Sequence, residues 1–449
     1  MTACASPKLP AAFEQGVVPP PTAEQEPGDA PRAGCTITAD GAYAARLARR
    51  GDSLFPERWT LDGPEPYAVP LPGNQPEEPG TEVQPMGDGR VLVRRLAAGR
   101  HTFALLYPTG PGTGELALGA VECPEGTGLR LLPPAPCGGR AYAIAVGRRS
   151  TAVWLVVGGA LGPELVAEVP GRCSGGVWLD RSGRMLALDR EIAGRTRTVV
   201  VDLECEGEVS PLLQIAPGSD DRLLLADPDS GLLLIRSDAP SPGQPRLGWG
   251  VLGSALPVRF PACLRLADCV VTPFAIQPGQ VLTPEHCAVA LHCEGALGSW
   301  VGMWRPADRR VHHLPAPEGW LAGAGRWTPE AELCLPYATE EVPCAVARWA
   351  APPRPAPCAA DGPDPADARA TGPDGGPPHP ADGPALPSFP QEGPRMGPQE
   401  GPRMGPQAGL QAALHADDPA DPARQAAAAD APRPVPLQQA PLTGRMAGT

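Results

Sequence analysis

The chain has 449 residues, of which 37 are Lys or Arg and 50 are Asp or Glu, so its formal net charge at pH 7 is −13. Because nucleic-acid binders present a basic patch and the arginines here are dispersed among acids, we expect no nucleic-acid partner. Pro (63 residues) and Gly (54 residues) are abundant and unevenly spread, which excludes one uniform globular domain.

Residues 1–16 lack the basic and apolar regions of a secretory signal, and no window of about eighteen residues is apolar enough to span a bilayer. We therefore expect a cytoplasmic protein with no membrane partner. The thirteen cysteines are odd in number and lack paired spacing, which predicts reduced, mostly buried thiols.

Residues 1–34 are rich in Pro, Ala and Glu and have no hydrophobic periodicity. We interpret them as a disordered arm, because such a composition buries too little apolar surface to offset the entropy of ordering the chain. Residues 35–350 differ, because short apolar runs bounded by Gly, Pro, Asp or Ser recur throughout them. This pattern is typical of strands and turns, and without long amphipathic helices it predicts an all-β domain.

A period is visible in the turns of this domain. In Trp178–Glu191, Ser182-Gly183 separates two apolar stretches, and similar turns recur along the chain. Their glycines are Gly41, Gly89, Gly139, Gly183, Gly231, Gly279 and Gly325. Successive members are 44 to 50 residues apart, which indicates seven units. In most units an apolar strand directly follows the glycine. In the sixth and seventh units this strand lies further along the chain, at Cys287–Cys293 and Glu332–Ala338.

Each unit has room for about four strands, which is the size of a propeller blade. One antiparallel blade cannot bury both of its faces, whereas blades stacked around an axis bury them against each other. We therefore predict a seven-bladed β-propeller over residues 35–350. We expect Cys35–Thr38 to close the ring by pairing beside Pro343–Trp349. A sandwich or irregular all-β domain is the alternative.

The stretches Trp178–Glu191 and Arg197–Ile215 resemble a blade of WD40-like and TolB-type propellers. In those blades an aromatic residue and an Asp precede a Gly-Arg turn, and a Val-rich strand ends in Asp-Leu. The resemblance implies a propeller fold and assigns no catalytic residue. The chain also resembles uncharacterised actinobacterial proteins, which implies no function.

Residues 351–449 are dominated by Ala, Pro, Gly and Asp and contain a direct repeat with an eight-residue period at residues 391–407. We interpret them as a disordered tail in which residues 409–416 form at most a nascent helix. A docking segment in the polyproline II conformation is the alternative.

The densest set of possible metal ligands is His286, Cys287, His292 and Cys293. If these residues lie on one strand, the two histidines are about 20 Å apart, as are the two cysteines, which is too far for one zinc ion. We therefore predict buried cysteines and strand-end histidines. A zinc site would need an adjacent His-Cys pair joined by ligands from another blade.

Two further motifs match known sites only in part. Gly171–Gly175 has the spacing of a nucleophile elbow with Cys173 at its centre, but it lies between predicted strands, so we interpret it as a blade-connecting loop. Gly110–Glu115 lacks the Lys-Ser/Thr of a phosphate loop.

An acidic cluster spans the fourth and fifth units, with calcium binding as the alternative to turn formation. It lacks the full EF-hand spacing, so our first interpretation is that these carboxylates stabilise turns. Its members are Asp220, Asp221, Asp227 and Asp229.

We also expect His312 and His313 to be exposed. Four tryptophans are predicted to pack between blades rather than to form a ligand platform. They are Trp154, Trp178, Trp304 and Trp327.

These residues do not converge on one chemistry, so no catalytic, metal-binding or cofactor-binding residue is predicted, and no cofactor. The sequence favours a monomeric, non-catalytic binding or scaffold module that presents propeller loops to an unknown protein partner. The alternative is a propeller-fold lyase or hydrolase with its site at the central channel. An apolar-rimmed face would favour the scaffold, and a funnel where His, Asp and Glu meet would favour the enzyme.

Overall fold

The structure is a computed structural model that describes residues 34–353 except Glu206 and Leu297. Apart from Gly34 and residues 351–353, the predicted arm and tail lie outside the described residues. Within the described part of the chain, strands form seven antiparallel sheets, and the strands of each sheet lie side by side in chain order. The prediction of an all-β, seven-bladed propeller is confirmed.

Blades 1 to 4 have four strands each. Blade 1 contains β1 (Thr36–Ile37), β2 (Tyr43–Arg50), β3 (Ser53–Thr60) and β4 (Tyr67–Pro70). Blade 2 contains β5 (Glu82–Pro85), β6 (Val91–Ala97), β7 (Arg100–Pro108) and β8 (Thr113–Glu122). Blade 3 contains β9 (Gly128–Leu131), β10 (Ala141–Val146), β11 (Ser150–Val157) and β12 (Glu164–Pro170). Blade 4 contains β13 (Arg172–Trp178), β14 (Met185–Ile192), β15 (Arg195–Asp202) and β16 (Glu208–Leu213).

Blades 5 and 7 have three strands, which corrects the expectation of four strands in every unit. Blade 5 contains β17 (Asp221–Ala226), β18 (Leu232–Ser237) and β19 (Arg246–Val251). Blade 6 contains β20 (Cys269–Ile276), β21 (Val289–Gly295), β22 (Gly298–Trp304) and β23 (His312–Pro315). Blade 7 contains β24 (Arg326–Trp327), β25 (Glu332–Tyr337) and β26 (Ala345–Ala350). One short 3-10 turn, Ala262–Leu264, precedes blade 6, and a second, Pro284–His286, lies between its strands β20 and β21.

The periodic glycines lie between the first and second strands of six blades. There they adopt positive φ angles that other residues reach only at a cost, for example +81° at Gly89 and +73° at Gly183. In blade 3 the left-handed residue is Gly138 (φ +69°), next to the predicted Gly139. The seventh prediction is wrong, because Gly325 precedes β24. The turn of blade 7 instead contains Ala331, with a φ of +66°.

The hydrophobic core is divided into seven clusters, each formed by the facing sides of two adjacent blades. Trp178 of blade 4 packs on Tyr142 of blade 3 with ring centroids 5.2 Å apart. Trp304 lies between blades 5 and 6, and Trp327 lies between blades 6 and 7. Trp154 packs between blades 2 and 3. The predicted inter-blade packing of these tryptophans is confirmed.

The ring closes by packing and not by a shared sheet. β1 pairs with β2, and β26 pairs with β25, so the expectation that Cys35–Thr38 pairs beside Pro343–Trp349 is wrong. The seventh cluster joins Trp59 of blade 1 to Val346 of blade 7. A backbone hydrogen bond from Gly34 N to Ala322 O, 3.2 Å long, adds to it. Buried side chains therefore hold the two ends of the described chain together.

Candidate functional site

The four candidate zinc ligands do not form a site. His286 lies in the 3-10 turn Pro284–His286 and not on the strand, so the assumption of one strand was wrong there. Cys287 donates a hydrogen bond to Ser230 Oγ of blade 5, 3.5 Å away. His292 packs edge-on against Trp320. Across residues 34–353, apart from the two omitted positions, no group of three His, Cys, Asp or Glu side chains is arranged to hold a metal ion.

The motif around Cys173 is structural. Gly171 is the one residue between β12 and β13, and Cys173 lies buried in the inner strand β13 rather than at a strand-to-helix turn. Its backbone N–H donates to Thr151 Oγ1 at 2.9 Å. Burial raises the pKa of the Cys173 thiol to about 11, which disfavours the thiolate that nucleophilic attack requires.

The acidic cluster divides between the two ends of β17. At its start, Asp221 accepts hydrogen bonds from Ser219 Oγ (2.8 Å) and Ser237 Oγ (2.6 Å). At its end, Asp227 accepts from Ser230 Oγ at 2.6 Å. These carboxylates accept hydrogen bonds at turns and strand ends, as our first interpretation predicts. In the described residues they lie at two separate ends of β17 and do not form one calcium site.

The remaining candidates are the segment Gly110–Glu115 and the pair His312 and His313. Gly110–Glu115 covers the hairpin turn between β7 and β8 and the start of β8. His312 and His313 are exposed on β23, as predicted, and Trp300 donates from its indole nitrogen to His313 Nδ1 at 2.8 Å.

Asp180 stabilises the predicted turn at Ser182-Gly183, and this turn also connects neighbouring blades. Asp180 Oδ1 accepts from the backbone N–H of Met185 at 2.7 Å. Arg181 forms a bidentate ion pair with Asp229 in the corresponding turn of blade 5, and Asp229 accepts from Gly279 N of blade 6 at 3.2 Å. This chain of contacts links three successive blades at one end of the ring.

A cavity of about 1300 Å³ occupies the central channel. It is lined mainly by the first strand of each blade or by the residues just before it. The strands that begin at Glu82, Gly128 and Asp221 all start at the same end of the ring, which we call the inlet. The hairpins between second and third strands lie at this end, because neighbouring strands are antiparallel. The Gly-containing turns lie at the opposite end, which we call the outlet.

Three arginines approach the channel near the inlet. Arg222 of β17 and Arg236 of β18 are directly opposite each other in the register of blade 5. Arg222 donates to Ser174 Oγ at 3.0 Å, and Arg236 donates to Val271 O at 3.0 Å. Arg130 of β9 reaches Gly175 O of blade 4, 2.5 Å away. The arginines therefore bridge blades 3 to 6.

One buried carboxylate lies among these arginines. Asp189 of β14 is 5% exposed, and its Oδ1 accepts from Thr198 Oγ1 (2.8 Å) and from Leu223 N (3.0 Å). Burial raises the pKa of Asp189 to about 6, although these hydrogen bonds and the charges of Arg222 and Arg130 act in the opposite direction. Asp189 is therefore a poor counter-ion compared with an exposed carboxylate.

Most other acidic side chains near the inlet already accept hydrogen bonds or form an ion pair. Glu82 pairs with Arg94 at 2.8 Å. Asp220 accepts from Thr196 N at 2.7 Å, and Asp238 accepts from Gly243 N at 3.0 Å. Glu191 is exposed on the inlet side of blade 4 and lines the channel. The inlet is therefore a charged opening with fixed polar groups on several blades.

Large apolar side chains are exposed at the inlet end of three blades. Leu96 lies next to the end of β6 and is 60% exposed, Ile192 ends β14 and is 52% exposed, and Val270 of β20, which lines the channel, is 58% exposed. Leu96 and Ile192 stand at tight hairpins in which Ala98 and Ala193 adopt positive φ angles of 50° and 52°. We call these three exposed side chains the inlet rim.

Sequence reasoning missed the channel arginines. Arg222 and Arg236 lie in strand segments that the apolar pattern identifies, but each is one of many dispersed arginines. A usable signal was the position of Arg222 on the first strand of its blade, Asp221–Ala226, since first strands line the channel. Its pairing with Arg236 follows only from the hairpin register.

No family model and no curated protein matches this chain. Among solved structures it is similar to TolB from Acinetobacter baumannii (12% identity, 70% of this chain and 82% of that chain, TM-score 0.37). It is also similar to a puromycin-hydrolysing peptidase of Mycobacterium tuberculosis (15% identity, 70% of this chain, TM-score 0.46), of which it spans 50%. A third is Sqt1 of Chaetomium thermophilum, bound to the N-terminus of ribosomal protein L10 (11% identity, 71% and 84%, TM-score 0.37).

In the described residues, no helix is both long and apolar enough to cross a membrane. The cysteines of the described residues are free thiols.

Proposed function

We propose that the protein is a non-catalytic binding module of the cytoplasm that takes a segment of a partner protein at the inlet of its channel. The observation that carries this proposal is a charged channel opening lined in part by the exposed Val270, with Leu96 and Ile192 also exposed at the same end of the ring. Protein-binding sites typically combine exposed apolar patches with polar groups that fix the orientation of the partner.

The size of the channel supports a polypeptide ligand. Small-molecule pockets usually have volumes of roughly 300–1000 Å³, and the channel exceeds this range at about 1300 Å³. A side chain or chain end of a partner can enter it while neighbouring residues rest on the rim. The arginines inside favour a segment that carries carboxylates.

The proposal is tested by placing a photo-crosslinking amino acid at single positions of the full chain in cells of the source organism. Val270 is on the inlet rim, whereas Leu161 is 98% exposed in the loop between β11 and β12, at the outlet end of blade 3. We expect one polypeptide to be cross-linked from position 270 and not from position 161. Equal cross-linking from both positions, or none from 270, would contradict the proposal.

A hydrolase or lyase with its site in the channel is the second candidate, and Asp189 is the observation that favours it. A carboxyl group whose pKa is raised to about 6 can exchange a proton near neutral pH. This candidate requires turnover of a small molecule that Asp189→Asn abolishes. Polypeptide capture at Val270 that Asp189→Asn leaves intact would favour the binding module.

A further inference from the structure

The register of blade 5 places two like charges side by side. Arg222 and Arg236 are direct cross-strand partners on β17 and β18, and both line the channel. Like charges directly opposite each other on a sheet repel and destabilise the strand pair. Burial lowers the pKa of Arg236, and the proximity of Arg222 lowers it further.

The hydrogen bonds of this pair do not neutralise its charge. Arg222 donates to the hydroxyl groups of Ser174 and Thr196, and Arg236 donates to a main-chain carbonyl, so each contact has a neutral acceptor. These bonds hold the guanidinium groups in place at the junctions with blades 4 and 6. They leave the two positive charges facing the channel.

The buried carboxylate of Asp189, on which the charge of Arg222 acts, is already occupied in part by other donors. Asp189 Oδ1 is occupied by Leu223 N and Thr198 Oγ1. Its Oδ2 lies towards Gly175, where an added Cβ would be 3.1 Å from that oxygen. Arg130 bonds the carbonyl of the same Gly175. One carboxylate thus lies between the arginine of blade 3 and the pair of blade 5.

We propose that Arg222 and Arg236 form an oxyanion-binding subsite of the channel that takes a carboxylate group of the ligand. A planar guanidinium offers two parallel N–H donors to such a group, and an anion between the two arginines turns their repulsion into attraction. The glutamate or aspartate side chains of an acidic peptide have this chemistry. The inference rests on the proposed function for the position of the ligand, and it is tested separately from it.

The test is calorimetric titration of the full chain with hexaglutamate, with citrate and with inorganic phosphate, each at constant ionic strength set with chloride. Hexaglutamate and citrate represent peptide and small-molecule carboxylates, and phosphate represents the other common oxyanion. We expect hexaglutamate to bind the wild type, and Arg222→Gln or Arg236→Gln to weaken that binding at least tenfold. Stronger binding of phosphate than of either carboxylate would overturn the assignment to a carboxylate.

The control is the double variant Arg309→Gln/Arg310→Gln, which removes two exposed arginines from the loop between β22 and β23 at the outlet end of blade 6. It should bind hexaglutamate like the wild type. Equal weakening in the control and in the Arg222 variant would show non-specific attraction and would overturn the subsite. No binding to the wild type would also overturn it.

A second readout separates the subsite from a purely structural role. Without ligand, Arg236→Gln relieves the like-charge contact and should melt no lower than Arg236→Ala, whereas hexaglutamate should raise the melting temperature of the wild type and of the Arg309→Gln/Arg310→Gln control more than that of Arg236→Gln. Arg222→Lys keeps the charge and should bind hexaglutamate between the wild type and Arg222→Gln. Should Arg222→Gln fail to fold, Arg222→Lys and Arg236→Gln still decide the question. Cross-linking at Val270 without hexaglutamate binding would leave the proposed function standing and remove the subsite.

Discussion

Replacing Asp189 by Asn tests the electrostatics of the channel directly. Asn keeps an acceptor oxygen for Thr198 Oγ1 and Leu223 N, so the substitution removes the charge and preserves these hydrogen bonds. Burial raises the pKa of Asp189 from 3.8 to about 6. That difference corresponds to about 3 kcal/mol of unfolding free energy at pH 7, by which the ionised carboxylate destabilises the folded protein.

The sign of the pH dependence follows from the raised pKa. Below about pH 4 the Asp189 carboxyl is largely protonated in both the folded and the unfolded state, so it has little effect on the free energy of unfolding. Between about pH 4 and 6 the folded state binds more protons than the unfolded state, so stability falls as the pH rises. We therefore expect Asp189→Asn to be more stable than the wild type by about 1–3 kcal/mol at pH 7, with the difference disappearing towards pH 4.

The assay is urea unfolding followed by tryptophan fluorescence at several pH values between 4.5 and 7.5. Asp202→Asn is the matched control, because Arg184 lowers the pKa of Asp202 to about 2. Its carboxylate stabilises the fold above pH 4, and this stability is lost as the pH falls through about 2. Asp202→Asn should therefore cost about 1 kcal/mol at pH 7. A less stable Asp189→Asn at pH 7, or an equal effect at every pH, would show that the ionised Asp189 carboxylate does not destabilise the fold.

Further predictions concern the turns, the ring closure and the thiols. Ala331→Gly should stabilise the fold by about 0.5–1 kcal/mol because its φ is positive, and Gly89→Ala should destabilise it by about 2 kcal/mol in urea unfolding; the opposite order would contradict the turn geometry. Trp59→Ala should cost about 3–5 kcal/mol, since this fully buried ring joins blades 1 and 7, and a loss below about 1 kcal/mol would argue against closure by packing. Iodoacetamide at pH 7.5, followed by mass spectrometry, should label exposed Cys137 and not Cys173, whose pKa is about 11; early labelling of Cys173 would show that its burial is wrong.

The repeat could be predicted because it depends on local chemistry. Gly89 and Gly183 are required where the chain turns with positive φ, and the apolar runs beside them become the second strands of their blades. The seventh turn escaped prediction because Ala331 takes the left-handed conformation there. The 3-10 turn at His286 was readable in part, since Pro284 cannot continue a strand ladder and favours the start of such a turn.

The closure and the candidate site could not be predicted, because both depend on residues far apart in sequence. Trp59 meets Val346 only when blade 1 and blade 7 come together. Arg130 and Arg222 enter the same channel from blades 3 and 5. Their meeting requires the number of blades, the inward face of each first strand and the register of Arg222 with Arg236, and no local pattern contains all three.

The proposed binding of an acidic partner segment at the inlet can be measured directly. The most direct measurement is calorimetric titration of the full chain with a synthetic peptide of the segment that cross-links to position 270. We expect binding that weakens at least tenfold in Arg222→Gln and stays unchanged in Arg309→Gln/Arg310→Gln. Binding that is equal in the wild type and in Arg222→Gln would contradict it.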